Sequence, residues 1–177
     1  MKSMPRALRP RFVWPLLGPQ TPGDSLALWT GTGLGIGFLK PASATWGSLV
    51  GLVYLALWAR LPGMSAQLLV QAEALVFSVW AAGRCEWILH TKDPHPVVID
   101  EIVSLPFAFW PILHDGRWWV WAGAFVIFRA ADVLKPWPAW VLEKWPAGLG
   151  IVADDVVSSV YAGLLIWGGE AVLTAWL

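Results

Sequence analysis

The charged residues of this chain gather at the ends of long apolar segments, and this arrangement limits what the chain can fold into. The first two apolar segments lie at or just below the roughly 17–25 residues of a membrane-spanning helix. Placing charge at the bilayer centre costs from roughly 3 to more than 10 kcal/mol. The sequence therefore predicts an all-α fold, a polytopic membrane helix bundle with short re-entrant or proline-broken helices. The predicted crossings are 46–61, 67–83, 97–113, 118–134 and 156–177.

The composition agrees with a membrane protein. The 177 residues are 57% hydrophobic and 14% charged, whereas soluble domains average roughly 45–50% apolar and 25% charged residues. Fifteen tryptophans are present, and tryptophan favours the membrane–water boundary. The alternative explanation for them is a soluble core rich in aromatic residues. Zero net charge argues against nucleic acid as a partner, and the single cysteine, Cys85, excludes a cysteine-cluster metal site.

The distribution of lysine and arginine predicts the domain organisation and orientation. Residues 1–24 form a basic, proline-rich arm without signal-peptide features, and residues 25–177 form one membrane-embedded helical catalytic domain. With the arm in the cytoplasm, the cytoplasmic loops hold more basic residues than the opposite side, as membrane proteins generally show. The carboxylates then converge on the cytoplasmic ends of the segments. The pair 97–113 and 118–134 is alternatively a hairpin that dips partway into the bilayer.

Five carboxylates occur at three places, Asp100-Glu101, Asp132 and Asp154-Asp155. If these carboxylates lie close together in the folded chain, they repel one another unless a cation neutralises them. A small set of carboxylate oxygens suits Mg²⁺, which also takes water and substrate phosphate oxygens as ligands. The alternative is that each acid caps the start of a helix. Asp132 has no such role, because it is predicted at the C-terminal end of its helix, where the helix dipole disfavours an anion.

Two basic residues flank Asp132. Arg129, Asp132 and Lys135 follow one another at i, i+3 and i+6, which places them on roughly one face of a helix. Arginine binds phosphate through its bidentate fork and lysine binds it as a point charge. The alternative is a pair of cations that reach the membrane boundary and form a salt bridge with Asp132.

A second phosphate-binding candidate is Thr45-Trp46-Gly47-Ser48, just before the first apolar segment. Exposed N–H groups at a helix start bind phosphate, although Thr45 or Ser48 would more commonly serve as a plain cap. The sequence lacks the residues of two other kinds of phosphatase. Cys85 is not followed by the arginine-containing phosphate loop of a cysteine phosphatase, and no Asp-x-Asp nucleophile pair is present. A metal-assisted route through carboxylates remains.

At these residues the chain resembles the phosphatidylglycerophosphatase A family of integral membrane lipid phosphatases. The resemblance covers most of the sequence after about Gly31. It rests on Phe125 through Arg129, Asp132, Lys135-Pro136-Trp137-Pro138, Gly148 through Asp155, Ile99-Asp100-Glu101 and Thr45 through Leu49. Two positions differ from the family pattern: Ser43-Ala44 replaces Pro-Gly, and Ser158-Ser159 replaces Ala-Gly.

The resemblance implies a requirement for Mg²⁺ and hydrolysis of phosphatidylglycerophosphate to phosphatidylglycerol and inorganic phosphate, on the cytoplasmic face of a bacterial inner membrane. The substrate is then a phospholipid within the bilayer. We expect Asp100, Glu101, Asp154 and Asp155 to hold one or two Mg²⁺ ions. Asp132 joins them or positions the nucleophile, and Asp100, Asp132 and Asp155 are the expected catalytic residues.

The expected phosphate ligands are Arg129 and Lys135, with Thr45 and Ser48. Attack by metal-activated water and formation of an aspartyl-phosphate both fit the sequence. The rival functions are a small transporter or accessory membrane subunit and a phosphatase acting on another lipid or on a soluble phosphate.

Overall fold

The computed structural model describes residues 21–176, and within them all regular structure is helical. The all-α prediction is therefore confirmed for this part of the chain. The predicted arm at 1–24 lies largely outside the described residues, but its last residues begin the first helix, where Thr21 and Asp24 form a capping box. The helices are α1 (Pro22–Gly31), α2 (Ser43–Trp58), α3 (Gly63–Leu89), α4 (Ile99–Phe109), α5 (Trp118–Leu134), α6 (Ala139–Leu142) and α7 (Gly148–Trp176).

Two of these helices, α3 and α7, are long and apolar enough to cross a membrane. Only 22% of the most apolar window of α3 is buried against the rest of the protein, so this helix is not the core of a soluble fold. Eleven tryptophans among the described residues are also exposed, which argues against the alternative of an aromatic-rich core. These surfaces favour association with a membrane.

The helix boundaries differ from the predicted ones at two places that matter for the site. The predicted crossing at 67–83 ends before Arg84, but α3 continues to Leu89. Arg84 is accommodated there because its Nε donates to Asp24 Oδ1 at 2.5 Å and its guanidinium lies 4.3 Å from the Trp87 ring centroid. Helix α7 starts at Gly148, so Asp154 and Asp155 lie at the end of its second turn rather than at its beginning.

Helix α4 lies at the centre of the fold and packs mainly against α2 and α7. Nine of its 11 residues are buried. Since roughly 20 residues are needed to span a bilayer, α4 is too short to cross on its own, which favours the alternative of a hairpin that dips partway into the bilayer over a crossing at 97–113. Its first turn carries Asp100 and Glu101, and its later residues Leu105 and Phe109 enter the larger apolar core.

Glycines on α2 allow a close approach to α4. A Cβ added at Gly47 would lie 2.6 Å from Val98 Cβ, and one added at Gly51 would lie 3.1 Å from Ile102 Cα. The two glycines are four residues apart, the spacing with which small residues let helices approach each other in membranes. Ser48, which lies between the two glycines in the sequence, is fully buried.

Candidate metal and phosphate site

Three of the predicted carboxylates come together between α4 and α7. Oxygen atoms of Asp100, Glu101 and Asp155 all lie within 4.8 Å of one another. The three residues are buried, with relative exposures of 6%, 7% and 6%. Asp100 and Glu101 lie in the first turn of α4, where the helix dipole favours negative charge, whereas Asp155 comes from the second turn of α7. We call Asp100, Glu101 and Asp155 the carboxylate cluster.

The other two predicted acids border this cluster. Asp132, in the last turn of α5, lies within hydrogen-bonding reach of Asp155, and its Oδ2 is 2.7 Å from Arg129 Nη1. Asp154 is not a member of the three-residue group, because its side chain points to Lys135, whose Nζ donates to Asp154 Oδ2 at 2.6 Å. The structure thus brings all five acids to one region. Three of them face one another in the carboxylate cluster, whereas Asp132 and Asp154 each form an ion pair.

The capping alternative accounts for only one of the two pairs of acids. Asp154 and Asp155 lie beyond the first turn of α7, which contains no acidic residue. Asp100 and Glu101 do lie in the first turn of α4, where the helix dipole favours negative charge. Favourable interaction with the helix dipole therefore explains the positions of Asp100 and Glu101, but it does not explain those of Asp154 and Asp155.

Several buried oxygens at the site have no hydrogen-bond partner among the described residues. An unpaired polar atom in a protein interior costs free energy comparable to a lost hydrogen bond, so a group of them at one place indicates a ligand-binding site. Oxygen donors in small number fit a hard divalent cation such as Mg²⁺. The atoms are Asp100 Oδ1, Glu101 Oε2, Asp154 Oδ1, Asp155 Oδ2, Ser158 Oγ and Ser159 Oγ.

The electrostatics of the first turn of α4 support the same fit. Burial, reinforced by the negative charge of Glu101, raises the pKa of Asp100 well above its usual range. Burial also raises the pKa of Glu101 to about 8, with repulsion from Asp155 and Asp132 adding to the effect. A positive charge next to buried, mutually repelling carboxyl groups lowers their pKa and favours the ionised form. Among the described residues, the nearby cations Arg129 and Lys135 pair with Asp132 and Asp154 instead.

Two of the predicted phosphate ligands, Arg129 and Ser48, contact each other at the edge of the site. Arg129 Nη1 donates to Ser48 Oγ at 3.2 Å, and Ser48 Oγ donates to Ala44 O at 2.8 Å. Helix α2 begins at Ser43 without a side-chain cap, so the alternative that Thr45 or Ser48 caps it is wrong. Thr45 is half-buried in the first turn of α2, one turn before Ser48.

Lys135 leaves the helical face that the i, i+6 spacing assumed. Helix α5 ends at Leu134, and Lys135 takes a left-handed conformation with φ of 44°. Its Nζ consequently reaches Asp154 at 2.6 Å and Glu143 at 3.3 Å instead of Asp132. The alternative of a salt bridge to Asp132 is thus right for Arg129 and wrong for Lys135.

Two acids that border the site were not predicted to belong to it. Glu143, just after α6, is the second partner of Lys135. Asp93 lies exposed in the loop before α4, and its charge acts on both Asp100 and Asp154. The position of Asp93 in the polar stretch that leads into Asp100-Glu101 was the available signal, whereas nothing local to Glu143 indicated that Lys135 would turn towards it.

Residues 29–169 match the model of the family described as phosphatidylglycerophosphatase A. The chain belongs to this family. It is 31% identical to the phosphatidylglycerophosphatase A of Haemophilus influenzae over 76% of this chain and 83% of that protein. It is also 31% identical to the phosphatidylglycerophosphatase A of Escherichia coli over 78% of this chain and 80% of that protein. No solved structure matches.

A third relative carries a different name. A Bacteroides thetaiotaomicron protein, provisionally named as a phosphatidylinositol-3-phosphatase, is 33% identical over 80% of this chain and 91% of its own length. Membership of the family makes the chain a phosphatase rather than a transporter or accessory subunit. All three names refer to phosphates on lipid headgroups.

Proposed function

We propose that this protein hydrolyses phosphatidylglycerophosphate to phosphatidylglycerol and inorganic phosphate with the help of Mg²⁺. The observation that carries the proposal is the carboxylate cluster, whose buried oxygens lack partners and lie beside two cations suited to phosphate. The names of two relatives supply the headgroup.

In this proposal Asp100, Glu101 and Asp155 hold the divalent cation. A cation bound there would lower the pKa of a water molecule and offset charge that develops on the phosphate. Asp132 lies next to Asp155 and positions the attacking group, either water or a carboxylate that accepts the phosphoryl group. Asp154, through its contact with Lys135, connects the cluster to the phosphate-binding side.

Arg129 and Lys135 bind the phosphate oxygens in this scheme. Both side chains are largely buried and already fixed by ion pairs, Arg129 to Asp132 and Lys135 to Asp154 and Glu143. The guanidinium offers five N–H donors, of which Nη1 contacts Ser48 and Asp132. The other N–H groups of Arg129 can donate to a phosphate bound beside the carboxylate cluster and stabilise the charge of the transition state. Thr45 and Ser48 complete this side.

The position of the site suits a substrate whose tails remain in a bilayer. Asp154 lies six residues after Gly148, roughly 9 Å along the helix. No charged residue occurs in α7 between Asp155 and Glu170. We place the carboxylates at the cytoplasmic boundary of a bacterial inner membrane, in a multi-pass protein that α3 and α7 anchor, with α4 as a re-entrant helix.

The test is phosphate release by purified protein in detergent micelles from a panel of substrates, with Mg²⁺ or with EDTA. We expect Mg²⁺-dependent release from phosphatidylglycerophosphate at a higher kcat/KM than from phosphatidylinositol 3-phosphate or from soluble glycerol 3-phosphate. The name of the Bacteroides relative favours phosphatidylinositol 3-phosphate as the second candidate. Preference for that lipid would overturn the headgroup assignment, and equal rates with EDTA would overturn the role of the metal.

A further inference from the structure

An apolar groove runs along the outside of the two helices that carry the carboxylate cluster. Its volume is about 480 Å³, within the roughly 300–1,000 Å³ range of small-molecule sites. One wall is formed by Phe107 of α4 and Trp110 just after it, and the other by residues of α7. The α7 residues that line the groove are Val160, Gly163, Leu164 and Trp167.

The groove has a closed floor and an open outer side. A Cβ added at Gly163 would lie 2.4 Å from Phe107 O, so α7 and α4 touch at backbone level beneath the groove. The side chains of Val160, Leu164 and Trp167 are 41%, 57% and 64% exposed. Because α7 is a candidate membrane span, these exposed side chains face hydrocarbon in a bilayer.

Along the helix axes, the groove begins beyond the carboxylate cluster. Val160 lies five residues after Asp155 and Trp167 lies twelve residues after it, which corresponds to roughly 7.5 and 18 Å along the helix. On α4, Phe107 lies seven residues after Asp100 and therefore on the same face. One leaflet of hydrocarbon is roughly 15 Å deep, half of the roughly 30 Å core. The groove thus covers the depth occupied by an acyl chain whose headgroup lies at the cluster.

We propose that this groove is the acyl-chain subsite of the enzyme and holds one fatty-acid chain of the phospholipid being hydrolysed. The proposal rests on the proposed function, since it takes the phosphate of that lipid to lie at the carboxylate cluster. Binding one chain along α4 and α7 fixes the headgroup in register with the cluster. The chain then contributes to recognition of the lipid and not only to its partition into the membrane.

Two neighbouring leucines allow a matched test. Leu164 lines the groove and Leu165 does not, although their exposures are similar, 57% and 63%. The measured quantity is kcat/KM for dipalmitoyl phosphatidylglycerophosphate divided by kcat/KM for the dihexanoyl lipid, in mixed micelles of one composition. We expect L164W to lower this ratio about tenfold, equivalent to about two methylene groups losing their apolar contact. L165W should leave it within about twofold of the wild-type ratio, a difference well below one methylene group's contribution.

Equal ratios for the two variants would overturn the subsite, as would an unchanged ratio in L164W. A wild-type experiment covers the case in which L164W fails to fold. Phosphatidylglycerophosphate with a diazirine at the end of one chain is photolysed with the protein, and phosphatidylcholine with the same chain is the control. We expect the first lipid to label Val160, Leu164 or Trp167 more strongly, and equal labelling would mean that bulk lipid alone fills the groove.

Failure of the proposed function has a separate signature. Wild-type protein would then release no phosphate from either phosphatidylglycerophosphate, whatever the chain length. The photolabelling comparison would still report whether the groove distinguishes the two lipids.

Discussion

Nζ of Lys135 lies 2.6 Å from Oδ2 of Asp154, and this contact joins the end of α5 to the second turn of α7. It compensates the charge of Asp154 and holds that side chain away from the carboxylate cluster. Asp154 Oδ1 nevertheless remains buried without a partner. Lys135 is therefore placed where it can serve both an acid of the site and a phosphate bound beside it.

Removing the Lys135 charge should reduce activity more than it reduces expression or membrane insertion. We expect Lys135→Met to lower kcat/KM on the lipid by about a hundredfold, since one charge-stabilising group at a reacting phosphate is lost and Asp154 loses its partner. Lys144→Met is the control, because Lys144 is exposed and contacts the ring of Trp140 instead. Similar losses in both variants would argue against a specific role for Lys135.

Neutralising a member of the carboxylate cluster should separate activity from stability. Asp155→Asn removes one of several buried anions that repel one another. We expect phosphate release to fall by at least about a hundredfold, while the unfolding temperature measured in EDTA stays the same or rises. Glu73→Gln, at an exposed position of α3, should change neither quantity. A fall in unfolding temperature without loss of activity would mean that Asp155 is a structural residue.

The close contact of α2 with α4 should be sensitive to a single methyl group. Gly47→Ala places a Cβ 2.6 Å from Val98 Cβ, and relieving such overpacking typically costs about 1–3 kcal/mol. We expect a lower unfolding temperature and reduced activity, since Val98 directly precedes the turn that carries Asp100 and Glu101. Gly168→Ala is the control, because a Cβ there meets nothing within 4 Å. Equal unfolding temperatures for the two variants would contradict this packing.

The ion pair between α1 and α3 should make stability depend on pH. The side-chain hydrogen bond from Arg84 lowers the pKa of Asp24 below its usual value of 3.8. A group with a lowered native pKa stabilises the fold above its unfolded-state pKa, and this contribution disappears as the pH falls through the native value. Asp24→Asn should therefore lower the unfolding temperature at neutral pH, and the difference from wild type should shrink below about pH 4. A difference that stays constant in acid would exclude this ionic contribution.

Much of the site was predictable because its residues combine chemistry with position. Charged groups near a membrane are costly and therefore usually functional. This reasoning predicted that all five acids converge, and Asp100, Glu101 and Asp155 form the closest group among them. Arg129 and Ser48, both predicted as phosphate ligands, contact each other, although phosphate binding by either stays a prediction. Spacing along the sequence predicted side-chain contacts correctly where the helix is continuous, as for Arg129 and Asp132 within α5.

The remaining differences arose from tertiary contacts that overrode local pattern. The end of α5 at Leu134 turned Lys135 towards Asp154 and Glu143, and no spacing rule within one helix could give that direction. Arg84 lies just beyond the predicted crossing at 67–83, and its partner Asp24, which accommodates it within α3, is 60 residues away in the sequence. The apolar groove likewise depends on how α4 and α7 cross, which the separate segments do not specify.

Magnesium-dependent release of phosphate from phosphatidylglycerophosphate, measured side by side for wild-type protein and Asp155→Asn, tests the central claim most directly. We predict that wild-type protein releases phosphate with Mg²⁺, stops in EDTA and recovers when Mg²⁺ is restored, whereas Asp155→Asn stays at least about a hundredfold slower in saturating Mg²⁺. Wild-type rates in the variant, or undiminished release in EDTA, would contradict a divalent-cation site at the carboxylate cluster.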